Sequence, residues 1–154
     1  MEVRYIFIVN PAAGKRQKAL TLLPAIQAYF SAHFAHSGSV AYKIRITERA
    51  GHARDIVTEE SRTEEEVRFI VCGGDGTLGE AADGIACAGR DDLVLGCIPC
   101  GSANDFVRSF PEAGDFHNLD SLINGTIRMV DGIRSGDKTA VNLCSMGMDA
   151  DVAN

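Results

Sequence analysis

Apolar residues recur along this chain in two periods that alternate with each other. Arg4 to Val9 is a short β-rich run that stops at Asn10-Pro11, a turn signal. From Arg16 to Phe34, the residues Ala19, Leu20, Leu23, Ile26, Tyr29, Phe30 and Phe34 fall at helical spacing, and Pro24 predicts a kink or a split into two pieces. Val40 to Thr47 then changes to period two, with Val40, Tyr42, Ile44 and Ile46 on one side, which reads as a strand facing a core on one face. Gly51 to Thr63 reads as a polar helix, Arg68 to Cys72 as a buried strand, Leu78 to Ala88 as a helix and Leu93 to Pro99 as another buried strand. Strands alternating with helices across short connections pair in parallel through crossover helices. The expectation for residues 1–125 is therefore a three-layer α/β domain: a mostly parallel sheet flanked by helices.

The pattern changes after Gly125. Thr126 to Ile133 and Lys138 to Leu143 read as two strands joined by Arg134-Ser135-Gly136-Asp137, a hairpin. Only 29 residues (154 − 125) follow Gly125, too few for an independent core without metals or disulfides. Residues 126–154 are expected to be the beginning of a second, all-β domain, truncated here.

The chain has 154 residues, 45% hydrophobic and 23% charged, which excludes a disordered tail or a collagen-like repeat. No apolar run approaches the roughly 18 residues of a membrane span, and no signal-peptide core follows the start. Fifteen Lys and Arg against 21 Asp and Glu give a net charge of −6. An acidic chain without a basic stripe argues against nucleic acid as a partner, and the absence of Trp leaves few stacking platforms. The five cysteines (72, 87, 97, 100, 144) mostly lie in apolar runs and read as reduced core residues of a cytoplasmic protein. Cys97 and Cys100 have redox or zinc spacing, but no second Cys or His pair completes such a site.

Ligands of open parallel sheets sit outside the carboxyl ends of the strands, and three strands of this chain end there in glycine-, Asn- or hydroxyl-rich turns. Gly73-Gly74-Asp75-Gly76-Thr77 follows the strand Arg68–Cys72. Its glycines let the backbone approach a ligand, and Thr77 with Glu80 has the spacing of a capping box, which places a helix N-terminus suited to phosphate at the turn. Asp75 beside a phosphate implies a bridging metal or a proton-handling role. The competing reading is a tight turn with Asp75 as turn former and Thr77 as N-cap. Asn10-Pro11-Ala12-Ala13-Gly14-Lys15 follows the first strand. Asn10 can cap or donate, Gly14 frees the backbone and Lys15 offers a point charge, yet the Gly-Lys-Ser/Thr ending of a Walker A loop is missing and a plain turn fits as well. Pro99-Cys100-Gly101-Ser102-Ala103-Asn104-Asp105-Phe106 follows the last of these strands. Ser102 and Asp105 form a second capping-box pattern, and Ser102 and Asn104 supply groups that can fix a base, ribose or phosphate.

Together these residues resemble a known family. Gly73-Gly74-Asp75-Gly76-Thr77 with Glu80 is similar to the signature of the diacylglycerol kinase catalytic domain and its sphingosine-kinase and NAD-kinase relatives. Asn10-Pro11-x-x-Gly14, Thr47 with Gly51-His52-Ala53, and Pro99-x-Gly101-Ser102-x-Asn104-Asp105-Phe106 resemble the bacterial lipid-kinase branch in order and spacing. Asn142 to Val152 resembles the segment by which that family enters its second domain.

The resemblance implies an ATP-binding α/β domain, a following β-sandwich and an active site in the cleft between them. It implies transfer of the ATP γ-phosphoryl group to a lipid hydroxyl with Mg²⁺, at a membrane surface where the lipid acceptor is presented. Asn10, Thr47, Gly73, Gly74, Gly76, Thr77 and Ser102 would contact nucleotide, while Gly14, Lys15, Gly101 and Asn104 complete the set of binding residues. Asp75 would serve the acceptor hydroxyl or the metal–phosphate cluster. Asp149 and Asp151 are candidates on the acceptor or metal side, and His52 is expected to be a helix-start residue rather than a base.

Two departures stand out: Ser102 where Thr is usual keeps the hydroxyl, and Ala103 where Gly is common adds a Cβ. With most of the acceptor-side domain missing, the 154 residues alone are expected to have little or no kinase activity, and an uncovered apolar face favours self-association. NAD kinase, which shares the Gly-Gly-Asp-Gly turn, is the alternative among enzymes. A nucleotide-binding module without activity is the alternative outside them.

Overall fold

A computed structural model describes residues 3–35 and 40–141. Asp149, Asp151, Cys144 and the end of the second predicted hairpin strand lie outside the described residues. The apolar runs form four parallel strands, β1 (Val3–Val9), β2 (Val40–Ile46), β3 (Glu66–Gly73) and β4 (Val94–Pro99), in the order β2-β1-β3-β4. They alternate with α1 (Leu23–Phe34), α2 (His52–Glu60) and α3 (Asp75–Ala88).

Successive residues of a strand face opposite sides of the sheet, so an apolar run buried on both faces feeds two cores. Tyr5, Phe7 and Val9 of β1, with Ile70, Cys72 and Ile98, pack under Ile26 and Phe30 of α1. Ile6 and Ile8, with Val67, Phe69, Val71 and Cys97, pack under Ala53, Ile56 and Val57 of α2 and Leu78 and Ala81 of α3. This is the expected three-layer arrangement.

Pro24 divides the predicted first helix, as its spacing foretold. Lys15–Leu22 is a 3-10 segment, and α1 begins with Pro24 in its first turn, where a missing N–H costs nothing. The period-two pattern of β2 belongs to an edge strand. Tyr42 stacks on Phe30 with ring centroids 4.4 Å apart, while Lys43 and Arg45, on the opposite face, reach Glu60 at the end of α2. Where α2 crosses α3, Gly84 allows close approach: a Cβ there would lie 2.8 Å from Val57 Cβ and 2.9 Å from the Arg54 carbonyl oxygen.

Three features differ from the sequence reading. The segment between β4 and Gly125 holds α4 (Asp105–Arg108), a 3-10 turn (Ala113–His117) and α5 (Leu119–Asn124), too short for their periodicity to stand out. The predicted strand from Thr126 pairs only from its end, in β5 (Ile133–Ser135), against β6 (Lys138–Ala140) through the two-residue turn Gly136-Asp137. That hairpin rests on α3, where the buried Asp83 accepts the Thr139 N–H at 2.8 Å and pairs with Arg54 Nε at 3.2 Å. Third, α3 begins at Asp75 rather than Leu78, inside the glycine turn.

Cys97 and Cys100 belong to opposite cores, because consecutive strand positions face opposite sides of the sheet. Their thiols therefore cannot converge on one metal or disulfide. Burial, with the Asp75 charge beside it, pushes the Cys97 thiol up to about 12, and burial also raises Cys72 and Cys100.

Candidate functional site

The connection from β1 leads to one face of the sheet and the connection from β3 to the other, so the two loops diverge at the carboxyl edge. A topological switch point of this kind leaves a crevice. There the structure has a cleft of about 670 Å³, lined by residues 10–14, 47–50, 74–77, 80 and 101–103. Of the residues singled out from the sequence, Asn10, Gly14, Thr47, Gly74, Asp75, Gly76, Thr77, Gly101 and Ser102 line it. Lys15, Gly73 and Asn104 do not.

Gly73 and Asn104 support the wall from behind. A Cβ on Gly73 would sit 2.9 Å from Thr77 Cβ, and Asn104 Nδ2 donates to the Gly101 carbonyl at 2.8 Å. Lys15 is exposed at the start of the 3-10 segment. The basic side chain on the lining is Arg49, and no spacing in the sequence distinguishes it from the other arginines nearby.

The loops are tied to one another across the strand ends. Asn10 N–H continues the ladder to the Cys72 carbonyl at 3.0 Å, Thr47 N–H reaches the Val9 carbonyl at 2.9 Å, and Cys100 N–H reaches the Gly73 carbonyl at 2.8 Å. Asn10 Nδ2 donates to Thr77 Oγ1 at 2.9 Å. Gly14, with φ +73°, turns its α-carbon against the Cys100 carbonyl, where a Cβ would overlap the oxygen. Gly74 and Gly101 touch backbone to backbone: a Cβ on Gly101 would stand 2.7 Å from Gly74 Cα. Much of the glycine content therefore serves loop-to-loop packing. Gly76 differs, for a Cβ there would meet nothing within 4 Å.

Both capping boxes read from the sequence are absent, and the reason bears on the chemistry. The N-cap of α3 is Gly74, and no side chain caps that helix. Thr77 Oγ1 accepts from Asn10. Glu80 caps a different helix, accepting the Gly51 N–H at 2.8 Å and the Ala53 N–H at 3.3 Å at the start of α2. Asp75 turns to α4, accepting the Asp105 and Phe106 N–H groups at 3.1 and 3.2 Å. The N-cap of α4 is Asn104 in the left-handed region, φ 56°, rather than Ser102.

Thr77 and Glu80, the capping pair read from the sequence, thus satisfy other elements, as does Asp75 beside them. The first bond of that helix runs from Leu78 N–H to the Gly74 carbonyl, leaving the N–H groups of Asp75, Gly76 and Thr77 without partners among the described residues. Orphan donors at the positive end of a 14-residue helix, on the wall of a cleft, can receive an anion. His52 stands first in α2, as expected, and its Nδ1 accepts the Glu48 N–H at 3.0 Å.

The carboxylates that line the cleft are Glu48, Asp75 and Glu80, and the last two are already solvated by amides. Among the described residues, no group of three or more His, Cys, Asp or Glu side chains is placed to hold a metal ion. No helix among them is long and apolar enough to cross a membrane.

The fold is an open α/β domain with a cleft at its switch point, lined by the start of α3. The profile of the diacylglycerol kinase catalytic domain matches residues 4–135, and the chain belongs to that family. A diacylglycerol kinase of Staphylococcus saprophyticus is 34% identical over 150 residues, covering 96% of this chain and 46% of the relative. A diacylglycerol kinase of Staphylococcus carnosus is 32% identical over 154 residues, covering 99% and 48%. The crystal structure of a diacylglycerol kinase from Bacillus anthracis superposes with a TM-score of 0.66 at 26% identity, covering 90% of this chain and 45% of that one. The chain spans just under half the length of these relatives.

Proposed function

We propose that this chain is the ATP-binding part of a cytoplasmic lipid kinase that transfers the γ-phosphoryl group of ATP to the hydroxyl of a diacylglycerol-like acceptor presented at a membrane surface. The observation that carries this reading is the set of orphan N–H groups at Asp75, Gly76 and Thr77, whose possible caps all turn elsewhere. Phosphoryl transfer asks the protein chiefly for positioning and for neutralisation of the phosphoryl oxygens. Here the amides of α3 would hold phosphate, and Ser102, Asn10 and Thr47, which line the same cleft, would fix the rest of the nucleotide.

Mg²⁺, when bound with the nucleotide, supplies further neutralisation. Such an ion is usually held by substrate phosphates with one or two carboxylates, which suits a cleft lined by Asp75, Glu48 and Glu80 but without a closed metal cage among the described residues. Asp75 belongs to this phosphate-side machinery, and its amide contacts give it a second task in holding α4 against the glycine turn. Residues 126–154 belong, in this reading, to a second β-rich unit that completes the acceptor side.

The test is thermal unfolding of the chain with and without Mg-ATP. Saturation at about 100 times Kd adds roughly 2.7 kcal/mol, a shift of about 5–10 °C for a domain of this size. The shift is expected to vanish in Gly74→Val, and its absence from both this chain and a longer form of the protein would refute a nucleotide site. Phosphorylation of a lipid extract, compared with phosphorylation of NAD by the longer form, separates lipid kinase from NAD kinase. The 154 residues alone are expected to turn over little or nothing. Robust turnover by the chain alone, abolished by Asp75→Asn, would overturn that expectation.

A further inference from the structure

A polyphosphate brings three to four negative charges into a cleft whose ionisable lining consists of Glu48, Asp75, Glu80 and Arg49. Backbone amides of α3 meet part of that charge. Arg49 is the one guanidinium on the lining among the described residues, and its present engagement is weak. It is paired with Asp55 of α2, and the two side chains are 63% and 54% exposed. Its other contact is to the Ala50 carbonyl at 3.3 Å. An exposed pair of this kind contributes little because water and salt screen it, and the Asp55 carboxylate carries a single charge. A phosphate ester carries more charge and matches the guanidinium fork with two parallel N–H donors.

We propose that Arg49 is a phosphate-binding residue of this cleft, parked on Asp55 when the cleft is empty and exchanging that carboxylate for nucleotide phosphate when it is filled. The inference rests on the nucleotide reading above. It makes Asp55, a residue off the cleft lining, an internal competitor that tunes affinity. It also gives the site a way to count phosphates, since adenosine offers Arg49 nothing to exchange for.

Opposite signs are expected from the two members of the pair. Arg49→Gln removes the phosphate contact and weakens ATP binding about ten- to a hundredfold, the usual scale for a charged hydrogen-bonded pair, while leaving adenosine binding unchanged. Asp55→Asn frees the arginine and tightens ATP binding severalfold. The double variant binds as Arg49→Gln does, because the competitor has nothing left to compete with. Arg49→Lys recovers part of the charge but not the fork.

The measurement is calorimetric titration of each variant with ATP, ADP and adenosine, at two salt concentrations, in the presence of Mg²⁺. Equal ATP affinity in the wild type and Arg49→Gln would overturn the assignment, as would weakened binding in Asp55→Asn, which would make the pair merely a brace for the start of α2. Failure of the nucleotide reading itself looks different, since neither this chain nor the longer protein would then bind ATP in any variant.

Discussion

Replacing Gly76 with Ala tests the site and the fold separately. Gly76 lies in the first turn of α3, where a Cβ would meet no atom within 4 Å, and its φ is not positive. Nothing in the fold therefore requires glycine there. Alanine is favoured over glycine in a helix by about 0.8–1.0 kcal/mol, and less in a first turn. Taking about 0.5–1 kcal/mol, and about 2–4 °C per kcal/mol for a domain of this size, the variant without ligand is expected to melt about 1–4 °C higher. Gly76 lines the cleft, so its methyl is expected to enter the space that phosphate would occupy. A phosphate held off one charge-assisted N–H contact loses about 1.5–3 kcal/mol, so the stabilisation by Mg-ATP should largely disappear even as the empty protein becomes more stable.

Gly101→Ala is the control: its Cβ would press on Gly74 Cα at 2.7 Å and Asn104 Oδ1 at 2.9 Å, so both the empty protein and the ligand response should suffer. The assay is differential scanning of each variant with and without Mg-ATP. A lower melting temperature for ligand-free Gly76→Ala, or an undiminished ATP shift, would refute the assignment of the α3 terminus as the phosphate seat.

The packing and electrostatics outside the cleft carry their own expectations. Gly84→Ala should destabilise by about 1–3 kcal/mol in denaturant unfolding, despite alanine's helix preference, because its Cβ meets Val57 and the Arg54 carbonyl across the α2–α3 crossing. An unfolding midpoint at or above wild type would show that the crossing has room.

Glu60 is 4% exposed and contacts Lys43, Arg45 and Arg4. Burial raises its carboxyl, but the hydrogen bonds from Lys43 and Arg45 prevail and leave it below the ordinary value of 4.5. Its contribution to stability is therefore complete above about pH 4.5 and lost as pH falls through the lower folded value. Glu60→Gln should flatten that acid limb and cost about 1–3 kcal/mol at pH 7, because Lys43 loses its carboxylate while Arg45 and Arg4 are left with the more exposed Glu59 and Glu65 alone. An unchanged slope of unfolding free energy between pH 5 and about pH 3 would contradict this.

The period of apolar positions determined the order of strands and helices up to β4, because a strand buried on both faces and a helix with one apolar stripe leave distinct local patterns. Pro24 likewise announced the division of the first helix by local sterics alone. The glycine-containing turns after β1, β3 and β4 marked the edge that carries the cleft, since a parallel sheet with crossover helices brings every carboxyl end to one side. The partners of the polar groups at that edge were decided by the tertiary structure. Thr77 and Glu80 have capping-box spacing, yet Thr77 meets Asn10, 67 residues away, and Glu80 meets Gly51, 29 residues away. A hydrogen bond is chosen by whichever donor the packed sheet brings near, and sequence spacing reports only the donors along one helix. The same holds for charge: Lys15 follows a glycine in the first turn yet is not part of the cleft lining, while Arg49, in the loop after β2, is. Element type is written in residues close along the chain, whereas the chemistry of the cleft depends on residues far apart, joined only when the sheet closes.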